Sequence, residues 1–292
     1  MRLREMVQAQ SARLDQAGVS FGHGTSNAFD EAAWLALAAL GLPLDALDAE
    51  ADRVLDARES AAIDALVARR IATRQPAAYL THEAWLQGVP FYVDERAIVP
   101  RSLIAELIAD GGFDSWLSSK TRRVLDLCTG NGSLAVLAAL AWPEAAVDAS
   151  DVSEAALEVA RINVERHGLA GRIALQRADL LDGLRGGYDL VLCNPPYVNA
   201  ASMAALPAEY RAEPALALAG GADGMDLVRR ILRGAPAAMN DAAVLVLEIG
   251  HERAHFERAF ARLEAVWLDT SAGGDQVLLL TREALQTLPP TR

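Results

Sequence analysis

Beyond residue 120 the chain alternates short apolar runs with amphipathic stretches, and this rhythm limits the fold more than any other property of the sequence. Val124-Leu-Asp-Leu-Cys128, Ala146 to Asp151, Ile173 to Asp179, Tyr188 to Cys193, Val244 to Ile249, Ala265 to Asp269 and Gln276 to Leu280 read as strands. Helical spacing sits between the first five, at Leu134 to Ala141, Glu154 to His167, a short stretch near Asp182, and Met225 to Met239. A strand that returns through a helix pairs parallel with its predecessor, so this order predicts a doubly wound parallel α/β sheet covered on both faces. The last two strands lie too close in sequence for a crossover helix and predict an antiparallel appendage.

The front of the chain has a different texture. Ala28 to Leu40, and the recurrence of Ile63, Leu66, Val67, Arg70 and Ile71 at three and four, predict a small all-helical domain over residues 1–76. Gly22-His-Gly-Thr-Ser-Asn27 reads as a turn-rich connection in which His23 is a site residue or, the favoured reading, has a turn or capping role, and Asp30 caps the following helix. From Tyr79 to Pro100, aromatic and β-branched residues around Gly88-Val-Pro90 predict a β-hairpin linker, residues 77–102. Leu103, Leu107 and Ile108 then open a helix that Gly111-Gly112 ends, starting the third unit, residues 103–292.

A formal charge of −12 disfavours DNA or RNA as a general partner and favours a basic one. The pairs Arg69-Arg70, Arg122-Arg123 and Arg229-Arg230 read as solvated element ends. No apolar run is long enough to cross a bilayer, and the opening Met1-Arg-Leu-Arg-Glu lacks a secretion-signal core, so a cytoplasmic protein without a membrane partner is expected. Cys128 and Cys193, far apart and outside any Cys/His cluster, read as buried strand thiols rather than a disulfide or a metal site. Trp34, Trp116, Trp142 and Trp267 read as packing residues and Met225 to Leu232 as a core-facing helix; Glu248 ends a strand beside the expected cleft.

The first strand of the sheet runs into Asp126-Leu-Cys-Thr-Gly-Asn-Gly132-Ser-Leu-Ala135, in which Gly130, Gly132 and Ala135 fit G-x-G-x-x-A. That pattern suits a dinucleotide or another adenosine ligand. Asp126 beside the loop repels pyrophosphate and attracts the ammonium and sulfonium of S-adenosylmethionine. Asp151, about twenty residues past Gly132, is placed for ribose hydroxyls. Asp179 is placed for the adenine amino group, with Leu180 over the ring. Three acids at three successive strand ends lie where such sheets bind ligands.

The fourth strand ends in Asn194-Pro-Pro-Tyr197. Methyl transfer to a planar amide or aryl amine requires a conjugated lone pair to be turned toward the methyl group. Asn194 can accept one N–H through its side-chain oxygen and the Pro195 carbonyl the other; Pro195 and Pro196 lock the turn and remove competing donors. Tyr197 can lie on the flat face of the substrate group. No general base is demanded, because a methylated amide nitrogen sheds its proton readily.

With these residues the chain resembles class I S-adenosylmethionine-dependent methyltransferases carrying this motif, a group that modifies planar nitrogens in adenine, cytosine or glutamine. Ala78-Tyr-Leu80, Phe91-Tyr-Val-Asp-Glu95, Val99-Pro-Arg-Ser102 and Glu106 are similar to the protein-glutamine methyltransferases of the HemK group. Pro100-Arg-Ser-Leu-Ile-Ala-Glu-Leu107 resembles the ribosomal, PrmB-type branch rather than the release-factor branch, which reads PRPET there. Phe21-Gly-His-Gly-Thr25, Asp30-Glu31-Ala32, Leu206-Pro-Ala-Glu-Tyr-Arg211, Glu213-Pro214 and Gly273-Gly-Asp275 agree with that branch. The resemblance implies a Rossmann-like seven-stranded sheet whose last strand is antiparallel. It implies methylation of a glutamine on the third protein of the large ribosomal subunit, a basic partner met before assembly. It places the cofactor on Asp126, Cys128, Thr129, Gly130, Asn131, Gly132, Asp151, Asp179, Leu180 and Asn194. Catalysis falls to Asn194, Pro195, Pro196 and Tyr197, with Arg101 joining Asn194, Pro195 and Tyr197 around the glutamine. Cys128 stands where the commoner loop has its first glycine. A release-factor substrate is the nearest rival; DNA adenine methylation, a dehydrogenase and an assembly factor with a vestigial pocket are others.

Overall fold

The computed structural model describes residues 1–289, so the last three positions of the expected 103–292 unit lie outside the described residues. A hairpin of β1 (Ala84–Leu86) and β2 (Val89–Phe91) precedes a sheet of β3 (Arg123–Leu127), β4 (Ala146–Asp151), β5 (Ile173–Arg177), β6 (Tyr188–Cys193), β7 (Met239–Glu248), β8 (Val266–Thr270) and β9 (Gly273–Thr281). The seven sheet strands lie in the order β5-β4-β3-β6-β7-β9-β8. The first five pair parallel, and β9 runs antiparallel between β7 and β8. The chain leaves β5 and returns on the far side of β3, so the order reverses between β3 and β6. Ligands bind at the carboxyl ends of strands at such a reversal.

Burial explains why these runs are strands. Val124, Leu190, Leu192, Val244 and Val246 pack on one face; Leu125, Leu127, Val191, Leu245 and Leu247 pack on the other. Side chains alternate across a strand, so continuous apolar runs are what a sheet covered on both faces requires. Helices Ile104–Asp110 and Ser133–Ala141 cover the first face, and helices Asp226–Ala238 and Arg253–Ala259 the second. Gly111 ends the 104–110 helix in the left-handed conformation, φ +67°.

Helices Leu3–Gln16, Ala28–Leu40 and Ala57–Thr73 build the front unit around Leu3, Val7, Leu14, Leu35, Ile63 and Val67. Several expectations change here. Asn27, not Asp30, caps the second helix: its Oδ1 accepts the Asp30 N–H at 2.9 Å. Arg70 is not solvated but fully buried, at 0% exposure. Tyr79 belongs to a short helix, Ala77–Thr81, so the hairpin is confined to 84–91 and turns on Gln87 and Gly88, both at positive φ. No helix forms near Asp182, β5 stops at Arg177, and β7 starts five residues before Val244. Trp34 is buried as expected, whereas Trp116 reaches the surface. No helix among the described residues is long and apolar enough to cross a membrane.

Candidate active site

The loop after β3 is held in an unusual backbone. Cys128, Gly130 and Gly132 have φ of +61°, +56° and +81°. For Gly130 a Cβ would project into open space, but at Gly132 it would press on Ala160 Cβ at 3.0 Å and Cα at 3.2 Å. Cys128 is thus neither within the strand nor fully buried, contrary to the strand-thiol expectation. An L-residue in that region carries about 1–2 kcal/mol of strain. Cys193, which pairs with Leu127 at the end of β6, is buried, and burial together with the nearby Cys128 pushes its thiol up.

Asp126 anchors the loop from behind. Its Oδ2 accepts the Thr129 hydroxyl at 2.5 Å and the Ala135 N–H at 2.9 Å. Oδ1 is buried without a hydrogen-bond partner, and burial pushes this carboxyl up to about 7. Asn131 is likewise engaged, accepting the Ser133 N–H and donating to the Ile98 carbonyl at 2.8 Å. Asp151 ties the loop to β4 by accepting the Gly130 N–H at 3.0 Å and the Ser153 N–H at 2.9 Å.

A cleft of about 260 Å³ opens at this edge. Of the cofactor positions read from the sequence, Cys128, Gly130, Asp151, Asp179, Leu180 and Asn194 line it; Asp126, Thr129, Asn131 and Gly132 stand behind its wall. Leu180 turns onto the wall at φ +55°. Asp179 is exposed and accepts from Arg230 at 2.9 Å. The open loop and the wall carboxylates Asp151 and Asp179 suit an adenosine ligand that carries positive charge.

A second cavity, about 280 Å³, adjoins the first. Asn194, Ile98 and Ala217 belong to both walls. The Asn194 side chain makes no hydrogen bond within the described residues and is free at the junction. Pro195 and Pro196 are buried, and Val198 resumes pairing, donating to the Leu218 carbonyl at 2.9 Å. Tyr197 lines the second cavity; its hydroxyl donates to Glu248 Oε1 at 3.3 Å, and burial, then Glu248, push its phenol up. Glu248 also accepts the Ser102 hydroxyl at 2.6 Å and the Leu103 N–H at 2.9 Å, with its carboxyl pushed up by burial. Arg101 lines this cavity too, but its guanidinium is already bound to both oxygens of Glu213, at 2.6 and 2.7 Å.

Sequence reasoning missed Ile98, Leu216 and Ala217, which carry no chemistry of their own and reach the site only through the fold. It reached Glu209 and Glu213 only as part of the resemblance and gave no sign of their burial or of their partners, which lie more than a hundred residues away.

Residues 5–81 match the PrmC N-terminal domain and residues 113–212 the Methyltransferase small domain. The chain is 57% identical to the ribosomal protein uL3 glutamine methyltransferase of Bordetella pertussis, over 98% of this chain and 96% of that one. It is 53% identical to the protein of the same name from Burkholderia pseudomallei, over 95% and 94%. Among solved structures it is similar to the human Mettl16 catalytic domain bound to the MAT2A 3′UTR hairpin 1, with a TM-score of 0.51, 15% identity, and coverage of 77% and 80%. That likeness speaks to the fold alone.

Proposed function

This chain belongs to the ribosomal protein uL3 glutamine methyltransferases, and we infer from its site that Asn194 presents a uL3 glutamine amide to the cofactor cleft. The enzyme methylates the side-chain amide nitrogen of a glutamine of uL3, with S-adenosylmethionine as donor. The observation that carries the assignment of roles is the shared wall: Asn194 belongs to both cavities and its amide has no partner of its own.

The residues fit that donor. Asp151 suits the ribose hydroxyls, Asp179 and Leu180 the adenine, and the 128–132 loop the backbone approach, while Asp126 holds that loop from behind. Bound there, S-adenosylmethionine supplies an electrophilic methyl group. The chain's own part is positioning. Asn194 Oδ1 accepts one N–H of the glutamine amide and the Pro195 carbonyl accepts the other, turning the nitrogen lone pair out of conjugation. Pro195 and Pro196 hold that carbonyl in place, and Tyr197, steadied by Glu248, covers the amide face. Arg101 contributes the cavity wall and holds Glu213. No residue is required as a general base.

Residues 1–76 serve as the substrate-recognition domain, 77–102 as the linker and 103–292 as the methyltransferase domain. With a charge of −12, the enzyme favours basic uL3 before assembly, works in the cytoplasm and does not bind DNA. Labelled S-adenosylmethionine offered with purified uL3 or a release factor tests the reading. Label on a uL3 glutamine is expected; label on the release factor alone would overturn the substrate. Asn194→Ala is expected to lower kcat by about 10²–10³, far more than it weakens cofactor binding, and a comparable loss of both would move Asn194 out of this role.

A further inference from the structure

The turn Phe21-Gly-His-Gly-Thr25 has no part in the chemistry described so far, yet it passes directly behind the second cavity. The His23 ring lies 4.3 Å from the Tyr210 ring, and a Cβ built at Gly22 (φ +126°) would overlap the Tyr210 hydroxyl oxygen. Tyr210 lines the second cavity, in a short helix, Ala208–Arg211. Two buried acids flank it, neither of them lining the cavity, Glu209 at 2% and Glu213 at 4% exposure. Glu209 accepts from Ser20 N at 3.1 Å, Arg70 Nη1 at 3.2 Å and Arg74 Nη1 at 3.4 Å. Glu213 accepts from Val99 N at 3.0 Å and from the Arg101 fork, with His23 Nε2 at 3.4 Å.

Chain segments remote in sequence thus converge on one ring. Tyr197, the other aromatic on this wall, is tied to Glu248, whereas the Tyr210 hydroxyl makes no hydrogen bond within the described residues. Carboxylates one residue before and three after Tyr210 pin its helix to the helical domain and to Arg101. Its ring is therefore held in place before substrate arrives, which reduces the ordering lost on binding.

We propose that Tyr210 contacts the glutamine-bearing segment of the protein substrate, with Gly22 and His23 of the helical domain as positioning residues that set its ring. The proposal rests on the acceptor role of the second cavity. It makes the helical domain part of the acceptor site's shape rather than a remote docking module.

The test compares Tyr210→Ala, Tyr210→Phe, Gly22→Ala and the double variant Gly22→Ala/Tyr210→Phe in the full chain. KM and kcat are read with uL3, cofactor affinity by calorimetry, and stability by thermal unfolding. Tyr210→Ala is expected to raise KM for uL3 about tenfold with cofactor affinity unchanged, and Tyr210→Phe to do little, because the ring carries the contact. Gly22→Ala should raise KM as well. Adding Tyr210→Phe should restore it, since the overlapping oxygen is gone and the next atom, Cζ, stands 3.5 Å away. The melting point of both Gly22 variants should stay lowered by the left-handed backbone, so a purely structural effect would not separate in this way. An unchanged KM in Tyr210→Ala, or no rescue in the double variant, overturns the proposal. If Gly22→Ala does not fold, the contrast between Tyr210→Ala and Tyr210→Phe decides alone. A wild-type enzyme inactive on uL3 would instead refute the substrate reading, and this proposal with it.

Discussion

Replacing Glu213 by Gln tests whether the acceptor wall is held by charge. In the native protein Glu213 Oε1 accepts from Val99 N and Arg101 Nη1, and Oε2 from Arg101 Nη2, with His23 alongside. Burial alone would raise this carboxyl, but the adjacent His23 ring and the hydrogen bonds and charge of Arg101 outweigh it and lower it from 4.5 to about 2. A pKa depressed on folding contributes stability that is present above the unfolded value and lost as pH falls through the folded one. At about 1.4 kcal/mol for each tenfold change in proton affinity, the ion pair is worth about 3 kcal/mol at pH 7 and about 2 at pH 3.5. Breaking a buried pair by removing one partner costs about 3–5 kcal/mol in general, which agrees. Urea unfolding of wild type and Glu213→Gln, followed by circular dichroism at both pH values, measures the gap. A gap below about 1 kcal/mol at pH 7, or one that does not narrow toward pH 3.5, would refute the reasoning.

Asp126 carries the opposite sign. Its pKa is raised to about 7 by burial, so its neutral form favours folding below 3.8 and that contribution is lost as pH rises through 7. Asp126→Asn should flatten the fall in stability over that range, and should abolish the proton release that calorimetry in buffers of different ionisation enthalpy detects when S-adenosylmethionine binds near pH 6.5. Equal release from the variant would place the titrating group elsewhere. Gly132→Ala should destabilise by about 1–3 kcal/mol, because its Cβ meets Ala160 backbone, whereas Gly130→Ala should cost only about 1 for its left-handed backbone. Equal melting points for the two variants would contradict that contrast. The association rate with free uL3 should fall steeply with added salt; stopped-flow traces insensitive to ionic strength would exclude steering.

The parallel sheet was legible because its central strands write their own signal: apolar residues on both faces, then the glycine loop after Leu127, Asp151, or the Asn-Pro-Pro-Tyr turn. What failed depended on partners remote in sequence. Arg70 reads as a solvated end, since nothing near it predicts Glu209 or the carbonyl of Ser20. Asp179 reads as the end of a strand, although the chain has turned away two residues earlier at Arg177. The loop from Asp126 to Gly132 leaves the carboxyl end of β3 as the motif implied, but a linear motif cannot say which side chains face a cleft and which brace it. Asp126, Thr129 and Asn131 brace it, each spending its side chain on another part of the loop or on Ile98.

The two prolines have a further consequence at the sheet edge. β6 pairs with β7 as far as Cys193 opposite Leu247, and the next pair would be Asn194 with Glu248. Without N–H groups at 195 and 196 the ladder cannot continue, and Glu248 keeps only its β9 partner, with its side chain bound to Ser102 and Tyr197. A residue with backbone donors at these positions could extend the parallel pairing and draw Asn194 into the sheet. The Asn194 amide would then be a strand-edge group facing one side. Stopping the ladder one residue short leaves that amide at the meeting point of both cavities, where donor and acceptor must come together.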